Sequence, residues 1–134
     1  MLNRRHLMVA AAGALALGAA FTFAPLAQAT PQDYSQQAFA AAQAAGKPIL
    51  LHITAPWCPT CKAQKPILGK IEAEPRFKDL VVLNIDFDSQ KALLRTLRVN
   101  QQSTLIAYKG KTEVGRTVGD INPASIAGLL GKTL

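Results

Sequence analysis

The sequence predicts an α/β domain in which helices cover both faces of a mixed central sheet. Two observations carry that expectation. Helical and strand-like segments alternate along residues 33–130 in the order helix, strand, helix, strand, helix, strand, strand, helix. The run Pro48-Ile49-Leu50-Leu51-His52-Ile53-Thr54 is apolar almost throughout, the pattern of a strand covered on both faces. A helical stretch separates this run from the next strand, so that connection is a crossover and the two strands are parallel. The short link Lys109-Gly110-Lys111 instead makes the last two strands an antiparallel hairpin.

Length and composition bound the rest. The chain has 134 residues, 49% apolar, with a formal net charge of +7, which suits one globular domain. Residues 1–29 read as a secretory signal. Arg4 and Arg5 precede a long apolar run from Leu7 to Ala24, no acidic residue occurs, and Ala27-Gln28-Ala29 supplies a small-x-small cleavage pattern. Asn3-Arg4-Arg5-His6-Leu7-Met8 also resembles a twin-arginine signal, with the general secretory route left open. The competing reading is an uncleaved anchor, because the apolar run approaches the length that spans a bilayer. The expected localisation is therefore periplasmic, or membrane-anchored facing the periplasm. Residues 30–134 form the expected mature domain. Its Lys and Arg are scattered among acids without aromatic interleaving, so no nucleic-acid partner is expected.

Within that domain, Asp33 to Lys47 predicts an amphipathic helix with Tyr34, Ala38, Ala41, Ala42 and Ala45 near one stripe and Gly46 at its end. The buried strand at residues 48–54 follows. Residues 59–73 are helical in pattern, with Pro66 expected to remove one backbone bond and bend the helix. Leu80–Asp86 reads as a strand, and Ser89 as the N-cap of a helix through about Leu97. Thr104–Tyr108 and Thr112–Val118 form the hairpin. Gly119 ends it, and Asn122-Pro123 caps and starts a last helix through Leu130.

The chemistry sits where the first buried strand hands over to a helix, at Ala55-Pro56-Trp57-Cys58-Pro59-Thr60-Cys61-Lys62. These are the chain's only two cysteines. A helix starting at Pro59, whose missing N–H has no partner to lose there, places Cys58 at the helix N-terminus. Unpaired N–H groups and the macrodipole favour an anion at that point. Such a site can lower a cysteine pKa from about 8.5 to between roughly 3.5 and 7.5, which makes Cys58 the expected attacking and exposed thiol. Cys61 lies one turn on, buried, and close enough for a disulfide that opens and closes. A structural zinc site wants four ligands, and only His6 and His52 could join the pair. A purely structural disulfide is the other alternative, but closing so short a loop removes little entropy from the unfolded chain.

The strand, Trp57-Cys58-Pro59-x-Cys61-Lys62 and the helix together resemble the active site of the thioredoxin family. Pro66, five residues after the second cysteine, and the strand ending in Asn84-Ile85-Asp86 match the same family in the same order. The resemblance covers nearly all of residues 30–134 and implies a compact thioredoxin fold, with the family's extra N-terminal strand missing. It implies thiol–disulfide exchange with protein thiols or disulfides, no cofactor and no resident metal. A membrane-linked redox partner is expected for an exported member. Trp57 would shield the site and offer a flat surface to the partner, or else serve as a core-edge aromatic. Pro59 and Thr60 would shape the first helical turn.

Two positions depart from the family pattern. His52 stands where the family buries an aspartate, which leaves it either a hydrogen-bonded core residue or a proton relay for Cys61. Ser103 stands where the family has a cis-proline facing the cysteines. A cis bond before a residue other than proline costs about 2.5–4 kcal/mol, so Gln102–Ser103 is expected trans. The loop through Gln102 and Ser103 is expected to meet substrate, to be looser than its proline counterpart, and to leave the reduced sulfurs more open to metal. The rival function is a binding module that holds a soft metal such as Cu(I) on the same cysteine pair.

Overall fold

The computed structural model of the chain describes residues 29–134, so the expected signal segment lies outside the described residues apart from Ala29. The elements are β1 (Gln32–Asp33), α1 (Gln36–Ala44), β2 (Pro48–Thr54), α2 (Pro59–Glu72), β3 (Val81–Asp86), α3 (Lys91–Thr96), β4 (Thr104–Lys109), β5 (Thr112–Val118) and α4 (Pro123–Gly131), with a 3₁₀ turn at Pro75–Phe77. The sheet order is β1-β3-β2-β4-β5. β3 runs parallel to β1 and β2, whereas β4 is antiparallel to both β2 and β5, so the sheet is mixed as the connections predict.

Alternation along the strands sorts the core into two layers. Ile49, Leu51 and Ile53 of β2 point to the side covered by α1 and α3, where they meet Phe39, Ala42, Leu83, Ile85, Leu94 and Ile106. Leu50 points the other way, into a layer with Leu68 and Ile71 of α2, Leu105 and Ala107 of β4, and Ile126 and Leu130 of α4. His52 follows Leu50 in register on β2, opposite Asn84 on β3 and Leu105 on β4. That parity puts the histidine on the face covered by the helix that carries the cysteines.

Several expectations need correction. An N-terminal strand does exist, because Gln32 and Asp33 pair in parallel with Leu83 and Asn84. The strand claims Asp33, so α1 starts later, with the Ser35 hydroxyl capping the Ala38 N–H. The buried stripe of α1 is Phe39 and Ala42, while Ala41 and Ala45 face solvent. Ser89 does not cap α3. Its N–H and hydroxyl both donate to Asp86 Oδ1, and Gln90 takes the N-cap position instead. α2 keeps helical geometry on both sides of Pro66, where the Lys62 carbonyl loses its usual N–H partner. In the hairpin, β5 carries an extra residue: Ala107 pairs with Gly115 but Tyr108 pairs with Glu113, which leaves Val114 as a bulge.

Phe77 is fully buried in the second layer and Asn122 Oδ1 accepts the Ser125 N–H at the start of α4. Urea unfolding should therefore show Phe77→Ala losing about 3–5 kcal/mol through cavity formation. Asn122→Ala should lose about 1 kcal/mol through the lost cap. A Phe77→Ala loss no larger than that of Asn122→Ala would contradict this layering.

Candidate active site

β2 ends at Thr54, and the chain turns through Ala55 to Trp57 before α2 begins. The Cys58 N–H closes the turn on the Ala55 carbonyl at 3.2 Å, and the Lys62 N–H makes the first helical bond to the Cys58 carbonyl. Cys58 is the N-cap of α2, Pro59 is its first residue, and the Cys61 N–H donates to Cys58 Sγ at 3.1 Å. One orphan donor of the helix end is thus aimed at the sulfur. Cys58 and Cys61 are joined as a disulfide with their Cα atoms 5.3 Å apart.

Both cysteines are only 1% exposed, which corrects the expectation that Cys58 alone would be accessible. Ala55 and Phe87 pack on the pair, and the Ser103 hydroxyl lies across it, 3.0 Å from Cys58 Sγ and 3.2 Å from Cys61 Sγ. Trp57 is 55% exposed. Its Nε1–H donates to Asp88 at 2.8 Å, and its ring meets the Phe87 ring edge-on. This exposed apolar ring next to Cys58 is therefore held in place from the loop after β3. Pro59 is exposed and Thr60 half-buried in the first turn.

The Gln102–Ser103 bond is trans, since the described residues contain no cis peptide bond. Strain enters elsewhere. Ser103 has φ +60, a left-handed conformation that a residue with a side chain adopts at a cost of about 1–3 kcal/mol. The loop is not loose. The Ser103 N–H donates to Ile53 O at 2.9 Å, and its carbonyl accepts from the Gly119 N–H at 2.9 Å and from Gln64 Nε2 at 3.2 Å. Backbone bonds from β2 and from the end of β5 replace the stiffness that a proline ring would supply. Gln102 is half-buried beside it.

Gln64 was not legible as a site residue, although a signal existed. It shares the α2 stripe of Cys61, Leu68 and Ile71, and a polar residue on an apolar stripe needs buried partners. It is fully buried, and its amide hydrogens go to Ser103 O and Asp120 O, the latter at 2.9 Å. The Gln64 oxygen is left as an acceptor 3.2 Å from His52 Nε2. His52 Nε2 must therefore carry the hydrogen, which fixes the tautomer of the neutral ring. His52 is 3% exposed, and its ring bonds to Gln64 rather than to either sulfur. The ring also lines a cleft of about 410 Å³ behind α2, with Lys65, Leu68, Glu72, Val82 and Asn84. Burial pushes the His52 pKa below its ordinary value, with Lys65 adding to that and the Gln64 bond opposing it. Burial pushes the Glu72 carboxyl up. Among the described residues no group of three or more His, Cys, Asp or Glu side chains could hold a metal ion.

Fold and site together define an α/β domain with a helix-capping cysteine joined by a disulfide to a second cysteine one turn on. The thioredoxin family model matches residues 28–132, and the chain belongs to the thioredoxin family. A thioredoxin from Chlamydia trachomatis is 34% identical over 101 residues, covering 75% of this chain and 96% of that protein. A thioredoxin from Mycobacterium tuberculosis is 36% identical over 80 residues, 60% of this chain and 68% of that one. The match to rice thioredoxin H2-1 spans 51% of that protein. The match to the bifunctional thioredoxin reductase/thioredoxin of Mycobacterium leprae spans 19% of it. Among solved structures, Trxlp from Edwardsiella tarda is 44% identical, covers 75% of this chain and 98% of its own, and superposes with a TM-score of 0.73.

The buried histidine makes a pH prediction. A folded-state pKa below the ordinary value near 6.5 means that the unfolded chain takes up the proton first as pH falls. The stability that neutral His52 contributes is therefore complete above about pH 6.5 and declines below it, at up to about 1.4 kcal/mol per pH unit. Glu72, with its pKa raised, acts in the opposite sense: its contribution is present at low pH and is lost as pH rises above the usual carboxyl range. Urea unfolding of the wild type and His52→Asn between pH 7.5 and pH 5 isolates the histidine. The stability difference should shrink as pH falls, and a pH-independent difference would rule the linkage out.

Proposed function

We propose that the protein is an exported thiol–disulfide oxidoreductase that exchanges disulfides with cysteines of other proteins through Cys58 and Cys61. The observation that carries this reading is Cys58 at the N-cap of α2, its sulfur accepting the Cys61 N–H and bonded to Cys61 Sγ. In the reductive direction the Cys58 thiolate attacks a partner disulfide, forming a mixed disulfide and releasing one partner thiolate. Cys61, deprotonated, then attacks Cys58 Sγ; the second partner sulfur leaves with the electron pair, and the Cys58–Cys61 disulfide re-forms. Run backwards, the same steps oxidise a partner dithiol. Trp57, exposed, and Gln102, half-buried, form the rim a partner chain meets, with Ser103 beneath them against the sulfurs.

Export is supported by Arg4, Arg5, the apolar run to Ala24 and the Ala27-Gln28-Ala29 pattern. It places the domain in the periplasm, beyond the cytosolic thiol pool, so a membrane-linked redox partner resets the pair. If the apolar run stays uncleaved, the domain is instead anchored and faces the periplasm.

Turnover in an insulin-reduction assay checks the activity. Wild type should precipitate insulin at the expense of a dithiol reductant, Cys58→Ser should be inactive, and Cys61→Ser should accumulate mixed disulfides through Cys58. Mixed disulfides on Cys61 in the Cys58→Ser protein at a matching rate would reverse the assignment of the two thiols.

His52 is assigned uptake of the Cys61 proton during resolution, which its place on β2 beneath α2 supports. Stopped-flow kinetics of His52→Ala should show resolution of the mixed disulfide slowed more than its formation. Equal slowing of both steps would leave His52 only its packing role.

A further inference from the structure

In the disulfide neither sulfur carries a hydrogen, so the two short contacts of the Ser103 hydroxyl have only one possible donor. The O–H of Ser103 donates, and it has a single hydrogen for two sulfurs at 3.0 and 3.2 Å. We propose that Ser103 is a catalytic hydrogen-bond donor whose hydroxyl follows the negative charge from one active-site sulfur to the other. The proposal rests on the thiol–disulfide reading above and assigns Ser103 a part that a backbone contact to substrate does not include.

The backbone around Ser103 shows that this hydroxyl is held for the purpose. Its N–H is committed to Ile53 O, and its carbonyl to Gly119 N–H and Gln64 Nε2. With both backbone groups fixed, the left-handed φ of +60 sets where Cβ points, and only rotation about Cα–Cβ remains to move the oxygen between the sulfurs. Ser103 is 3% exposed, so water does not compete freely for the donor. A donor fixed before charge develops, in a site with little water, needs no reorganisation when the charge arrives.

The titratable groups on the surrounding elements are engaged elsewhere. Asp88 accepts from Trp57, Lys91 lies over the Phe87 ring, and His52 is bonded to Gln64. Asp120 accepts from the Asn122 N–H and the Ser125 hydroxyl, and Lys62 is exposed on α2. Among the described residues, hydrogen bonds to sulfur come from the Cys61 N–H and the Ser103 O–H alone. The first of these points only at Cys58, so among the described residues Ser103 is the donor that reaches Cys61.

The steps balance without any further reagent. In the reduced protein the Ser103 O–H donates to the Cys58 thiolate. Once Cys58 has attacked, its sulfur is neutral in the mixed disulfide, and the hydroxyl turns to Cys61. Cys61 gives its proton to His52, as assigned above, and attacks Cys58 Sγ. The bond from Cys58 to the partner sulfur breaks, and that sulfur leaves with the electron pair and is protonated from solvent.

Two measurements on Ser103→Ala and Ser103→Gly decide the matter. The first is the pH midpoint for iodoacetamide alkylation of reduced Cys58, and the second is the equilibrium of the cysteine pair with glutathione redox buffers. Both variants lose the hydroxyl, but Gly adopts φ +60 freely whereas Ala keeps the strain, so the pair separates hydroxyl from backbone effects. Both should raise the alkylation midpoint by about one to two pH units, the size of a lost hydrogen bond to a charged group. Both should also shift the glutathione equilibrium about tenfold towards the disulfide, about 30 mV. Unshifted midpoints in either folded variant, with wild type active on insulin, would overturn the role of Ser103 alone. A wild type inert on insulin would overturn the oxidoreductase reading and the catalytic role with it.

Discussion

The amide of Gln64 ties together four parts of the fold: α2, β2, the Ser103 loop and the loop after β5. It hangs from α2, accepts from His52 on β2, and donates both hydrogens, one to the Ser103 loop and one to the loop after β5. A buried amide with every group used is worth keeping only in one geometry, because any shift strands a donor or an acceptor in an apolar surround. Gln64 bridges the helix that carries the cysteines to the loop that carries Ser103, alongside the backbone bonds to Ile53 and Gly119. The two sulfur contacts of the serine hydroxyl depend on these bonds together.

This network also accounts for how the site copes with the absence of a proline at position 103. A proline would fix the loop by its ring. Here the same stiffness comes from three hydrogen bonds to the Ser103 backbone, and the side chain is freed to meet the sulfurs. The cost is a strained φ. Backbone strain and a polar contact to the reacting atoms occur in the same residue, which is where strain is most often tolerated.

The sheet, the two-sided cover of β2 and the place of Cys58 at a helix start were legible in the sequence because each depends on local pattern: continuous apolar character, a proline at a first helical position, a short turn. The features that were missed depend on contacts between segments far apart in the chain. β1 is two residues long and gains its identity only by pairing with β3. Ser89 has the chemistry of an N-cap, whose oxygen accepts from a backbone N–H, but here its hydroxyl and N–H donate to Asp86 Oδ1. Ser103 could be placed opposite the cysteines by family pattern, yet nothing local announces that Ile53, Gly119 and Gln64 would bind its backbone. Cys58 was expected to be open because helix ends usually are, and that loop covers it.

The bulge at Val114 has a consequence for behaviour at high concentration. β5 is an outer strand of the sheet, and a straight outer strand with free N–H and C=O groups would template a second molecule. The extra residue twists β5 away from a flat register, and the ion pair between Glu113 and Arg116 sits on the same short stretch. Arg116 also donates to the carbonyls of Leu97 and Arg98, which ties that side of the ribbon back to the body of the domain. Native molecules are thus poor seeds for edge-to-edge stacking along this strand, and fibril formation through it requires the hairpin to open first.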